Sequence, residues 1–164
     1  MPASDHTVRP APFINVRNAQ ATVSLSPRPP FRLVTANRSA APFFQALVDL
    51  RTKEIVGFEA LARWTHKELG ELPPSRFIPI AEDTGLINEL TDQLLRTACL
   101  AAISWPANVT LSFNISSVQL KDRTLGLRVL SILDQTGLSP YRLEIEIDVA
   151  ARATTQYART NNSG

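Results

Sequence analysis

Ile55-Val56-Gly57-Phe58-Glu59-Ala60-Leu61-Ala62-Arg63-Trp64 is the stretch on which the fold turns. Its branched and aromatic side chains suit a pleated, half-buried surface, and it holds no proline, so it predicts a β-strand. The polar run Arg51-Thr52-Lys53-Glu54 before it predicts a turn, and Phe43 to Leu50 before that predicts a partner strand. The segment therefore opens as a hairpin.

Beyond the hairpin the period changes. Pro73 and Pro74 precede Ser75, which reads as the cap of a short helix through Phe77, Ile80 and Ala81 that Gly85 closes. From Ile87 to Ser104 the apolar positions 87, 90, 94, 98 and 101 keep helical spacing, while Glu89, Asp92, Gln93 and Arg96 fall mostly on the other side. Pro106 ends that helix. Val109 to Phe113 reads as a strand, Leu125 to Gln135 as a helix stopped by Gly137, and Leu143 to Ile147 as a last strand. Alternation of helix and strand predicts parallel strands joined by covering helices, an α/β class.

Composition bounds the alternatives. The chain has 164 residues, 44% apolar and 20% charged, enough for one compact domain plus tails and too apolar as a whole for a disordered protein. Residues 1–42 hold seven of the twelve prolines and five arginines against one Asp, and predict a disordered leader. The net charge is +4 over 1–42, −3 over 43–147 and +1 over 148–164, so the basic character belongs to the ends. The middle offers no basic patch with interleaved aromatics, which argues against a nucleic-acid partner. The longest mostly apolar stretch, Leu94 to Ile103, is broken by Arg96 and Thr97 and is far short of the ~20 residues of a membrane span. The single Cys99 excludes an internal disulfide and a cysteine-based metal site, and fits a reducing, cytoplasmic location. Cys99, Trp64 and Trp105 read as packing residues, and His66 as a solvated turn residue.

Three polar side chains fall where such a layout collects chemistry: Glu59 within its strand, Asn114 just past Phe113, and Glu146 near the end of the last strand. Two carboxylates and an amide are oxygen donors of the kind that magnesium or manganese accepts. Side chains at the carboxyl ends of parallel strands can converge although distant in sequence. Pattern alone leaves a second reading open, with both glutamates as outward-facing strand residues and Asn114 as the cap of the next helix.

The words around these residues carry a resemblance. Phe58-Glu59-Ala60-Leu61-Ala62-Arg63-Trp64, with Phe44-Gln45 and Val48-Asp49-Leu50 before it, resembles the signature of the EAL domain family of bacterial cyclic di-GMP phosphodiesterases. The block from Pro74 to Ile87, the strand Leu111-Ser112-Phe113-Asn114-Ile115-Ser116 with Gln119-Leu120, and Leu143-Glu144-Ile145-Glu146-Ile147 are similar to later motifs in the family's order. The resemblance covers residues 43–147. It implies a TIM-like (β/α) barrel and hydrolysis of cyclic di-GMP to linear pGpG with Mg²⁺ or Mn²⁺ and an activated water. Carried across, Glu59, Asn114 and Glu146 match metal ligands, Arg63 a phosphate contact, and Gln45 and Leu61 positions lining the nucleotide.

After Ile147 the likeness ends. The family's later paired aspartates, lysine, glutamate and glutamine have no counterpart, because no Lys follows Lys121 and no acidic residue follows Asp148. The expectation is a partial barrel ending after about four strands, with 148–164 a disordered non-family tail left by a frameshift or early stop. Such a chain would be inactive alone, or a non-catalytic nucleotide-binding or protein-interaction remnant. Its open sheet edge would favour a homodimer or another partner chain.

Overall fold

A computed structural model describes residues 39–66 and 69–148. Of the leader expected over 1–42, residues 1–38 lie outside the described residues, and 40–42 are not leader but the start of the first strand; of the tail expected over 148–164, residues 149–164 lie outside, and Asp148 ends the last strand. The hairpin forms as strands β1 (Ala40–Val48) and β2 (Ile55–His66), antiparallel, with Gln45 opposite Glu59 and Phe43 opposite Leu61. β1 starts three residues earlier than its apolar pattern suggests because Ala40 pairs with the buried Trp64. At the turn the Asp49 carboxylate accepts the backbone N–H groups of Arg51 and Thr52 at 2.7 and 2.9 Å, which holds that carboxyl below its ordinary pKa.

Next comes β3 (Gly70–Leu72), antiparallel to the end of β2 and too short to show a period in the sequence. Helix α1 (Pro74–Asp83) follows. Its start corrects one expectation: Pro73 stands at the cap position and Pro74 at the first helical position, and no side chain caps the helix. Proline at the first position has no N–H to leave unpaired and a φ already suited to the helix. The expected stop at Gly85 is present, with φ +73°, its N–H donating to Glu82 O and the Leu86 N–H reaching Ala81 O.

Helix α2 (Ile87–Ala102) turns Ile87, Leu90, Leu94 and Ala98 inward, all buried, against β1, β4 (Thr110–Ser116) and α3 (Leu125–Thr136). Helix α3 ends at Gly137 with φ +78°, and β5 (Leu143–Asp148) completes the sheet in the order β1-β2-β4-β5, with β3 beside β2. The β2–β4 and β4–β5 pairs are parallel, as the alternation of helix and strand requires. Cys99 is fully buried, and burial pushes its thiol up to about 11, so it packs as a small hydrophobe. Trp105 meets Phe44 edge-on, with ring centroids 5.1 Å apart, and Phe58 at a tilt, with centroids 4.8 Å apart. His66 departs from expectation: it ends β2, half-buried, with its ring edge-on to Trp64 at 5.3 Å and Nδ1 accepting the Leu69 N–H.

One face of the sheet buries Ala60, Trp64, Leu111, Phe113 and Ile115 against the helices. The other face is more open, with Phe43 at 54% exposure and Gln45, Glu144 and Glu146 exposed. What brings β2 and β4 together is Gly57. A Cβ there would lie 2.6 Å from Thr110 Oγ1 and 3.0 Å from the Thr110 carbonyl oxygen, closer than van der Waals contact allows. Gly57→Ala should therefore cost about 1–3 kcal/mol in urea unfolding through strand separation. Gly126→Ala, where nothing lies within 4 Å, should be neutral or stabilise by up to about 1 kcal/mol. Equal effects of the two substitutions would contradict the close approach.

Candidate active site

Register decides which side chains meet. Glu59 pairs with Ser112 across β2 and β4, and Asn114 pairs with Glu146 across β4 and β5. Because side chains alternate along a strand, Glu59, Ser112, Asn114 and Glu146 share one sheet face. Two hydrogen bonds run diagonally through this group. The Asn114 Nδ2 donates to Glu59 Oε1 at 2.6 Å, and the Ser112 hydroxyl donates to Glu146 Oε1 at 2.5 Å. With its NH₂ committed to Glu59, the Asn114 carbonyl oxygen is left as an acceptor, in the amide orientation that this hydrogen bond selects.

The remaining expected residues lie on the same face. Gln45 is opposite Glu59 on β1 and exposed; Leu61 and Arg63 follow Glu59 at successive two-residue steps along β2, both half-buried. Arg63 is ~13 Å of strand from Glu59 at the usual rise per residue. Its Nη1 donates to the Ala62 carbonyl oxygen at 3.0 Å, and among the described residues no carboxylate forms an ion pair with it. The fold thus gathers Glu59, Asn114 and Glu146 on three neighbouring strands and sets Gln45, Leu61 and Arg63 around them on β1 and β2.

Past the Ala60–Phe113 pair β2 turns to β3 instead of continuing beside β4. A cavity of about 360 Å³ opens there, walled by Glu59, Leu61, Asn114 and Ser116 and floored by Ile78 of α1 and Leu90 and Thr91 of α2. Its lining is mainly apolar, with the carboxylate and amides at one side, the usual character of a small-molecule cleft.

Several contributors were not legible as such. Glu82 near the end of α1 is half-buried and accepts a hydrogen bond from the Ser116 hydroxyl at the end of β4. Ser112 is fully buried, and its signal was a small polar residue two positions before Asn114 in an apolar strand. Ser116 and Gln119 form a capping box on the 3₁₀ turn Ser117–Lys121, and their S-x-x-Q spacing is the cue that could have found it.

The diagonal contact is testable by a double-mutant cycle of Glu59→Ala and Asn114→Ala, followed by urea unfolding in the absence of divalent ions. A hydrogen bond to a carboxylate should give a coupling energy of about 1–3 kcal/mol. Additive losses would mean that the two side chains do not meet.

Comparison with known proteins bears on the family and the fold. The model of the EAL domain matches residues 32–162, wider at both ends than the motif-bearing stretch 43–147. The protein y4lL of Sinorhizobium fredii is 45% identical over 104 residues, covering 63% of this chain and 13% of its own length. The probable cyclic di-GMP phosphodiesterase PdeI of Escherichia coli is 37% identical over 110 residues, covering 63% of this chain and 14% of its own. Among solved structures, the PaMucR phosphodiesterase in complex with c-di-GMP superposes with a TM-score of 0.68 at 27% identity, over 77% of this chain and 53% of that one. The chain therefore spans about half of that solved domain and a small part of its longer relatives. Because the family model spans most of its length, this chain belongs to the EAL domain family.

Proposed function

We propose that residues 43–147 form the amino-terminal part of a cyclic di-GMP site in which Glu59, Asn114 and Glu146 hold a divalent cation, Mg²⁺ or Mn²⁺. The observation that carries this reading is the clustering of those three oxygen donors on adjacent parallel strands, with the Asn114 amide fixed by Glu59. The donor set fits such an ion: magnesium keeps several waters and takes one or two carboxylates beside substrate phosphates, so two carboxylates and a carbonyl suffice. When bound, a divalent ion supplies Lewis acidity toward a phosphodiester oxygen and lowers the pKa of a bound water.

The chain's own groups would then divide the nucleotide. Arg63 presents a fork of N–H donors suited to phosphate oxygens, Leu61 an apolar surface for a base, and Gln45 an amide that can donate and accept at a base or ribose edge. The similar PaMucR phosphodiesterase was solved as a complex with c-di-GMP, which supports that nucleotide as the ligand to test first. A buried, unpaired Cys99 and the absence, among the described residues, of a helix long and apolar enough to cross a membrane are in keeping with a cytoplasmic role. Among the described residues β1 and β5 each keep one edge without a partner strand, which suits pairing with a second copy or a partner chain.

We further infer that these 164 residues alone bind the nucleotide without cleaving it. A two-ion clamp on the attacking and leaving oxygens needs ligands from further strands. The sequence offers no acid after Asp148 and no Lys after Lys121 to supply them. Incubation of the chain with cyclic di-GMP and Mn²⁺ should yield no linear pGpG above the protein-free control. Equilibrium binding should weaken about tenfold in Arg63→Ala, the loss of one charge-assisted contact. Turnover by the chain that Glu59→Ala abolishes would contradict the inactivity, and undetectable binding would remove the nucleotide as ligand.

A further inference from the structure

Gln119 is 2% exposed, and every hydrogen-bonding group of its side chain is used. Its Oε1 accepts from the Thr91 hydroxyl at 3.1 Å and from the Ser116 N–H at 3.2 Å, and its Nε2 donates to Asn88 Oδ1 at 2.9 Å. The contact to Ser116 grips the backbone of the last residue of β4, two positions beyond Asn114 on the same face. The other two contacts anchor that grip to α2.

Asn88 is itself held. Its Nδ2 donates to Asp122 Oδ2 at 2.9 Å, and Arg128 of α3 donates to Asn88 Oδ1 at 3.1 Å, to Asp122 at 2.5 Å and to Asp92 at 3.1 Å. From the opposite side Glu82 of α1 accepts the Ser116 hydroxyl. The end of β4 is thereby fixed from α1, α2 and α3 together. Gln119 also lines the cavity that Glu59 and Asn114 line.

Volume alone does not explain an amide in this place. A leucine would fill the space without the cost of desolvating a primary amide. An amide is needed where a backbone N–H must be tied at a set position to a neighbouring helix. We propose that Gln119 is a positioning residue for Asn114: through the Ser116 N–H and α2 it sets where the Asn114 carbonyl oxygen stands relative to Glu59 and Glu146. This rests on the ion-binding reading above and names a residue that tunes the same site. Groups behind a metal's direct ligands commonly change affinity 10–100-fold when removed.

The full 164-residue chain can be tested as Gln119→Leu, with Leu133→Ala in α3 as a comparison that loses buried volume away from β4. Two readouts are needed: Mn²⁺ affinity from the free-ion paramagnetic resonance signal, and the side-chain NH₂ signals of Asn114 in ¹⁵N spectra without metal. Gln119→Leu should bind Mn²⁺ at least tenfold more weakly and shift and broaden the Asn114 NH₂ pair. Leu133→Ala, whatever it does to the melting temperature, should leave both near the parent. Affinity within twofold of the parent with an unmoved Asn114 pair would overturn the proposal, as would equal changes in Leu133→Ala. If the parent binds no Mn²⁺, the ion reading fails by itself and the Asn114 signals decide the positioning claim. If Gln119→Leu does not fold, Thr91→Val removes one bond to Gln119 and should move the Asn114 pair in the same sense; an unmoved pair again overturns it.

Discussion

The parallel register of β2, β4 and β5 is the constraint on which the rest depends. A shift of one residue in any of these strands would move Glu59, Asn114 or Glu146 to the opposite face; for β2 and β4 that face is buried under the helices, where an unpaired Glu59 carboxylate would cost several kcal/mol. Register is held from both faces. On one side Ala60, Leu111, Phe113 and Ile115 are buried under the helices; on the other, Gly57 lets the β4 backbone come close at Thr110. The crossing hydrogen bonds of Glu59 with Asn114 and of Glu146 with Ser112 follow from that register. Arrangement of the backbone thus precedes arrangement of the chemistry.

Much of this fold could be read from residues alone because its elements announce themselves locally. The hairpin has a proline-free run of branched and aromatic residues beside a polar turn. The long helix has an uninterrupted apolar stripe from Ile87, and Gly85 and Gly137 stop their helices in the left-handed conformation expected of them. Elements without a period escaped. β3 is three residues long, and the first turn of α1 uses proline geometry where a serine cap was expected. His66 looked solvated because its partners are a tryptophan ring two residues away and a backbone N–H across a turn.

The candidate site divides along the same line. Glu59, Asn114 and Glu146 were visible because oxygen donors in apolar strands stand out, and the residues around them resemble one family. Ser112 and Glu82 were not, since each acts through a partner 34 residues distant in sequence; for Gln119 the S-x-x-Q spacing marks the tie to Ser116, while its ties to Thr91 and Asn88 exist only in the fold. Serine in a strand, glutamate on a helix and glutamine in a turn are ordinary in composition. Their roles come from burial and from the geometry of what they touch. The family model and the superposition on half of a solved domain place the described sheet within a known architecture, and the chemistry of this chain's own residues determines what that portion can bind.

The most direct measurement is anomalous scattering from crystals of the 164-residue chain grown with Mn²⁺. A manganese peak is expected, bounded by Glu59, the Asn114 carbonyl oxygen and Glu146, at about 2.0–2.3 Å from each oxygen as hard-cation coordination requires. Manganese bound elsewhere, with these three side chains free of it, would contradict the claim that this strand register builds a cation site.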